Sequence, residues 1–245
     1  MPAMPSGSEE HSSSALALPA GWRVEQSAGG LVLCAPDDAR LRADFGGGAL
    51  GWRLARARGR EQPIARAVGF GRGRAAPRVF DATAGLGRDA AVLATLGCEV
   101  LAVERHPAIH ALLADALARA NADPELSERL GGRLRLLCGD ARALLREGAA
   151  TGCDTILLDP MHPERRKSAL VKQEMRLFRM LVGADEDAAT LLDAALECGA
   201  PRVVVKRPAG APPLAERAPQ GSIEGRTTRF DLYLRRMDAP PSAPR

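Results

Sequence analysis

The stretch Arg78–Ala90 reads R-V-F-D-A-T-A-G-L-G-R-D-A. A short apolar run, Val79 and Phe80, leads into Asp81. Small residues follow, then Gly85 and Gly87, then a helix-forming segment from Arg88. The order is strand, tight glycine turn, helix. Glycine adopts positive φ without steric penalty and lets a ligand approach the main chain. The N–H groups of the first helical turn then point at that ligand. Gly85-x-Gly87-x-x-Ala90 also fits the fingerprint of a dinucleotide-binding turn. Such a triplet is equally a common structural turn, so its meaning depends on its surroundings.

Downstream, the same alternation recurs. Strands are expected at 78–81, 99–103, 134–138, 155–158 and 202–205, and helices at 88–96, 107–120, 141–146, 167–181 and 186–198. Gly97 is placed to end the first helix as its C′ glycine, and Pro107 to open the second. Residues 222–225 and 229–234 read as a closing antiparallel pair. Strands alternating with helices predict an α/β fold, a mostly parallel sheet covered on both faces, with antiparallel strands at its C-terminal end. Upstream, residues 22–34 mix β-formers with a Gly29-Gly30 turn and predict a small hairpin, and 44–48 read as a flexible turn. The expected organisation is a Ser/Pro/Ala-rich disordered tail over 1–20, a small β-containing basic region over 21–76, the main domain over 77–237, and a loose Pro-rich tail over 238–245.

With 245 residues, 46% of them hydrophobic but only 3% aromatic, the chain can build one sizeable core of Leu, Val and Ala. The net charge of +4 is carried almost wholly by arginine; the lysines are Lys167, Lys172 and Lys206. Arginine suits phosphate, so a polyanionic partner is one reading, and a GC-rich coding sequence is the other. From Arg40 to Arg74 nine arginines face only Asp44 and Glu61, which favours an RNA-contacting surface over a plain connector. The five cysteines form no C-x-x-C pair and mostly adjoin apolar runs. That predicts reduced, mostly buried thiols in a cytoplasmic protein and no zinc site. No run of about 18 apolar residues predicts a membrane span. Glu9 and Glu10 near the start, with no long apolar segment, do not read as a signal peptide.

In a parallel sheet, ligands bind outside the carboxyl ends of the strands. Four expected strand ends carry an acid: Asp81, Glu104, Asp140 and Asp159. Glu104 follows Asp81 by 23 positions, near the separation at which an acid accepts ribose hydroxyls. Asp89, in the first turn after the glycines, would repel a pyrophosphate, although Arg88 softens that argument. A cofactor with a positive sulfur and an amino-acid tail tolerates acids there, and S-adenosylmethionine is such a cofactor. Asp140 could then face its adenine amine. An NAD(P)-dependent oxidoreductase remains the first alternative, and a non-catalytic RNA-binding assembly factor the second.

Asp159-Pro160-Met161-His162-Pro163 follows the fourth strand. An acid followed by proline at this rim suits methylation of an exocyclic amine, whose lone pair is delocalised into the ring. A side-chain oxygen and a rigidly held backbone carbonyl can accept its two N–H bonds and favour the pyramidal, nucleophilic geometry. Proline fixes φ and preorganises the loop. His162 reads as a loop residue near the target base rather than a base catalyst. His106 and His110 lie four apart without a third ligand and read as helix residues. From Met161 to Gly183, Arg165, Arg166, Lys167, Lys172, Arg176 and Arg179 oppose Glu164 and Glu174. Arg165, Arg166, Lys167 and Lys172, with Lys206 and Arg207 after the fifth strand, are the expected RNA-phosphate contacts.

Taken together, D-A-T-A-G-L-G-R-D-A, V-E-R-H-P, L-D-P-M-H-P-x-x-x-K-S-A-L-V-K-x-E-M-R and R-V-V-V-K-R-P resemble the ribosomal RNA small subunit methyltransferase J (YhiQ-like) family. The resemblance covers roughly Phe45 to Leu234, and the third motif is its most specific part. It implies a class I, Rossmann-like methyltransferase sheet. It implies methyl transfer from S-adenosylmethionine to N2 of a guanine near the 3′ end of 16S rRNA in the small ribosomal subunit. It implies cofactor contacts at Arg88, Asp89, Glu104, Arg105, Asp140, Ala141 and Asp159, to which the glycine turn adds Asp81, Gly85 and Gly87. Asp159 and Pro160 are the expected catalytic pair. Two departures stand out: His162 replaces the family's usual Phe, and Gly139-Asp140-Ala141 replaces a Ser-rich stretch.

Overall fold

A computed structural model describes residues 18–56, 61–71, 73–161, 169–183 and 187–235, and of the side chains of 169–175 nothing is said. The chain opens with three short strands, β1 (Arg23–Ser27), β2 (Gly30–Cys34) and β3 (Arg40–Leu41), and two short helices, α1 (Gly48–Ala55) and α2 (Pro63–Ala67). The main alternation follows: β4 (Arg78–Asp81), α3 (Arg88–Thr95), β5 (Glu99–Glu104), α4 (Pro107–Ala122), α5 (Pro124–Leu130), β6 (Leu134–Cys138), α6 (Ala141–Arg146), β7 (Thr155–Leu158), α7 (Ala169–Val182), α8 (Ala188–Glu197) and β8 (Arg202–Pro208). β9 (Gly221–Glu224) and β10 (Thr228–Leu234) close the chain.

The strands form a seven-stranded sheet in the order β6-β5-β4-β7-β8-β10-β9. β6, β5, β4, β7 and β8 run parallel, and β10 pairs antiparallel with both β8 and β9. Chain order reverses at β4, so the crevice for a ligand lies outside the carboxyl ends of β4 and its neighbours.

Side-chain alternation divides the core between two faces. Val79, Val100, Ala102 and Leu157 pack with the Ala90–Ala94 run of α3 and with Leu54, Ile64 and Leu130. Phe80, Val103, Ile156 and Leu158 pack instead with Leu145 of α6 and Leu191 and Leu192 of α8. Burying a side chain such as Phe80 contributes roughly 1.5–3 kcal/mol, so this double-sided burial is what selects the parallel register.

Local chemistry fixes the element ends. The N–H of Gly97 donates to the Ala94 carbonyl and that of Cys98 to Leu93, the paired C-terminal bonds expected of a left-handed glycine at φ +106°. His106, Asp123 and Asp140 cap α4, α5 and α6 through side-chain acceptors. α5 has no counterpart among the expected elements, although Asp123-Pro124 is a usable start signal.

The N-terminal hairpin is present and gains the third strand β3. Trp22, Leu33 and Leu41 share a core with Ile109 and Leu112 of α4 and Leu177 and Leu181 of α7. The Leu31 N–H donates to Asp115 Oδ2, and Arg119 donates to the Ala43 carbonyl, clamping this small sheet onto α4. The arginine-rich stretch from Arg40 to Arg74, expected as an RNA-contacting surface, contains α1 and α2, which bury Leu54, Ile64, Ala65 and Ala67. Of the cysteines, Cys34 and Cys98 are buried and Cys153 and Cys198 half-buried, whereas Cys138, at the carboxyl end of β6, is exposed. No helix among the described residues is long and apolar enough to cross a membrane, and no cluster of three His, Cys, Asp or Glu side chains there could hold a metal ion.

Candidate active site

The parallel strands bring four acids to one rim. Following the sheet order, Asp140 stands just beyond β6, Glu104 ends β5, Asp81 ends β4 and Asp159 follows β7. The loop after β4 continues the ladder for two further bonds. The Ala82 N–H donates to the Leu157 carbonyl and the Ala84 N–H to the Val103 carbonyl, which steers the chain into the glycine turn.

Gly85 and Gly87 take φ of +54° and +72°, a region in which an L side chain is strained. Gly87 has a second reason: a Cβ there would lie 2.5 Å from Leu113 Cδ1 and 3.2 Å from Phe45 Cζ. Glu104 ties this turn to β5. Its Oε2 accepts from the Gly85 N–H at 3.0 Å and its Oε1 from the His106 N–H at 2.7 Å. Two backbone donors thus orient a buried carboxylate beside the glycine turn. A carboxylate offers about four lone-pair sites in the plane of the group, an acceptor geometry that suits the paired hydroxyls of a ribose.

A second cluster lies on the other side of β4. Lys206 Nζ is 2.6 Å from Asp89 Oδ2 and 2.7 Å from Asp159 Oδ2. Burial works against the lysine's charge, but Asp159 and Asp89 outweigh it and hold the ammonium above its ordinary range. Burial likewise pushes Asp89 up, and Lys206 and then Arg53, whose Nη1 lies 3.4 Å from Asp89 Oδ1, more than reverse this. Asp89 is therefore an ionised but balanced acid, and its repulsion of a pyrophosphate is weaker than the sequence suggests. The Asp159 N–H donates to Thr83 Oγ1 at 2.6 Å, and the Thr83 N–H donates to Asp81 Oδ1 at 3.2 Å. Asp81, only 3% exposed, is pushed up to about 7 by burial and by its acidic neighbours Asp89 and Asp159, against that N–H bond and Lys206.

Arg142 engages Asp140 and also lies 3.0 Å from Asp187, which Arg105 meets at 2.6 Å. The hydrogen bond from Arg142 is the main cause that holds Asp140 below the ordinary carboxylate range. Asp140 serves as N-cap of α6, and Ala141 behind it is buried. His106 Nδ1 accepts from the Ala108 N–H, and burial with Arg105 lowers its basicity, so it acts as a neutral cap.

Among the expected RNA contacts, Lys206 and Arg207 are corrected. Lys206 is spent between two carboxylates. Arg207 is 6% exposed and donates to the Pro212 carbonyl, turned into the fold. The cause is that β8 extends to Pro208 along β10, so the two residues alternate across the sheet. His162, Arg165, Arg166 and Lys167 lie outside the described residues, and Lys172 belongs to α7 without a described side chain. Arg88 is exposed at the start of α3. Thr83 and Arg53 were not singled out from sequence; the threonine sits inside the glycine motif, where it was readable as a small residue only.

The donor set fits a nucleoside carrying a cationic group. One oriented acid stands by a glycine turn, and an acid cluster with one lysine stands across β4. Comparison with known proteins agrees. The family model described as "Putative SAM-dependent methyltransferase" matches residues 21–235. The ribosomal RNA small subunit methyltransferase J of Thioalkalivibrio sulfidiphilus is 53% identical over 206 residues, 83% of this chain and 80% of that protein. The protein of the same name from Nitrosococcus oceani is 51% identical over 196 residues, 80% of this chain and 77% of its own length. Among solved structures, a SAM-dependent methyltransferase from Neisseria gonorrhoeae is 36% identical with a TM-score of 0.69, covering 92% of this chain and 87% of that one.

Proposed function

Because the chain belongs to the family of SAM-dependent methyltransferases that includes ribosomal RNA small subunit methyltransferase J, we propose that it methylates N2 of a guanine near the 3′ end of 16S rRNA in the small ribosomal subunit, in the cytoplasm. It is an S-adenosylmethionine-dependent rRNA methyltransferase; family membership sets aside the oxidoreductase and the non-catalytic assembly factor. The observation that carries the choice of an exocyclic amine is the Asp159-Pro160 step, whose carboxylate Lys206 holds at 2.7 Å beside the cofactor rim.

S-adenosylmethionine, when bound, supplies an electrophilic methyl group. Glu104 would hold its ribose, with the Gly85–Arg88 turn, Arg105, Asp140 and Ala141 around the nucleoside. Asp89 and Asp159 supply negative charge for its cationic end. Asp159 accepts one N–H of the guanine amine, and the main chain at Pro160 accepts the other. That pairing draws the nitrogen lone pair out of conjugation and aims it. No strong base is needed beforehand, because the proton leaves as the new bond forms. In this reading residues 77–237 form the transferase domain and 21–76 an accessory region that contributes Arg53 to the rim.

The test is nucleoside analysis of 16S rRNA from cells lacking the protein, with labelled-methyl transfer by the purified protein to those small subunits. The expected product is one N2-methylguanosine restored by the protein. A methyl on a ring nitrogen or a ribose oxygen would reject the assignment.

A further inference from the structure

Trp52 is 62% exposed, the most exposed of the large apolar side chains among the described residues, whereas Trp22 at 9% lies in the core. It stands on α1, and Arg56, four residues on, places its guanidinium carbon 4.6 Å from the Trp52 ring centroid. The helix is firmly seated. Leu54 is buried, and Arg129 donates to the Leu54 and Ala55 carbonyls at its C-terminal end. Its next residue, Arg53, reaches into the active-site rim and meets Asp89. An exposed indole therefore stands one residue away from a side chain that touches the Lys206–Asp159 cluster. In sequence, Arg58 and Arg60 follow α1.

An isolated exposed tryptophan is normal surface. This one combines three properties that single-stranded nucleic-acid binding needs: an aromatic face, cations beside it, and a rigid support. A guanidinium over an indole is also the start of a stack that a base can extend, with the arginine left within reach of the base's phosphate. We propose that Trp52, with Arg56, is a stacking platform for an unpaired base of the RNA substrate adjoining the methylated guanine. This rests on the rRNA methyltransferase reading and adds to it a residue that selects single-stranded RNA at the rim. It also gives Arg56 the phosphate-facing task that Lys206 and Arg207 do not perform.

The 245-residue chain holds two tryptophans, so its own fluorescence is the probe. A short single-stranded RNA carrying the target guanine should quench the wild-type emission. Trp52→Phe should abolish that quench while Trp22 continues to emit. Trp52→Ala should weaken affinity for the same RNA by about 5–150-fold, the range for loss of one stacked base, with Trp52→Phe intermediate. With small subunits as substrate, the loss should fall on KM rather than kcat, and calorimetry should show wild-type S-adenosylmethionine affinity. Wild-type RNA affinity in Trp52→Ala, or a quench that persists in Trp52→Phe, would overturn the platform. Failure of the wild type to methylate small subunits would instead reject the substrate reading, and the RNA-affinity comparison would still decide the role of Trp52.

Discussion

The Lys206 ammonium lies 2.7 Å from Asp159 Oδ2 and joins the loop after β7 to Asp89 on α3, 2.6 Å away on its other side. Lys206→Met would leave Asp89 without its main counter-charge and Asp159 without its anchor. The expected loss of stability is about 1–3 kcal/mol, less than for a fully buried pair because the Asp159 side chain is 42% exposed. Activity should fall further than stability, since the carboxylate that receives the amine would no longer be fixed. Lys206→Arg keeps the charge but replaces a compact ammonium with a planar fork, so it should recover stability better than turnover. Denaturant titration alongside methyl transfer separates the two effects, and a Met variant with wild-type turnover would dismiss the anchoring role.

Asp81 links the site to pH. Its carboxyl is pushed from an ordinary 3.8 to about 7, first by burial. Below about pH 4 both folded and unfolded chains hold the proton, and Asp81 contributes nothing to pH dependence. Between about pH 4 and 7 the folded chain binds more protons, so stability falls as pH rises, and above 7 the full penalty is present. Asp81→Asn preserves an acceptor for the Thr83 N–H and removes the buried charge. It should be more stable than wild type by about 2–4 kcal/mol at pH 8 and nearly equal at pH 4, on the scale of 1.4 kcal/mol per unit. Unfolding curves at the two pH values check this; an equal gap at both would mean that Asp81 does not titrate as its burial implies.

Glu104 can be judged through the cofactor. Glu104→Ala would strip the acceptor from the Gly85 and His106 N–H groups and from the ribose together. S-adenosylmethionine affinity should fall by about 1.5–3 kcal/mol, the range for hydrogen bonds to a charged group. Glu104→Gln retains one carbonyl oxygen and should lie between the two. Calorimetry giving the wild-type constant in a folded Ala variant would remove Glu104 from the binding site.

How far the sequence carried this site depends on the distance over which each fact is decided. The strands β4, β6 and β7 match their expected bounds, because a glycine, proline or acid marks each end locally. Glu104 and Asp159 reach the rim for the same reason. Lys206 and Arg207 went astray because their direction is set by β10, whose Phe230 and Arg229 pair with them and carry β8 past Val205. A strand three residues longer alternates where a loop would have presented both cations. The Arg53–Asp89 contact spans 36 positions and the seating of β2 on α4 spans 84, and no local pattern encodes either. Thr83 is the intermediate case: its place in the glycine turn was legible, but its bond to the Asp159 N–H was not.

Asp159 carries the sharpest test of the chemistry. Its carboxylate is held by Lys206 and its own N–H by Thr83, so the group is oriented before any substrate arrives. Preorganised acceptors of this kind are worth about 10²–10³ in rate when removed, and Asp159→Ala should lose at least that factor. Asp159→Asn still offers an oxygen to the amine N–H, but it gives up the ion pair and the negative charge that favours the developing ammonium. It should therefore be slower than wild type and faster than Ala. A residue acting as an obligatory base would behave differently: neither amide nor methyl can take a proton, and both variants would be equally dead. Methyl transfer to small subunits lacking the modification, with rates for all three proteins, gives the order directly. Wild type above Asn above Ala supports an acceptor that positions the amine; equal loss in Asn and Ala assigns proton removal to Asp159; and full activity in Ala removes Asp159 from the reaction.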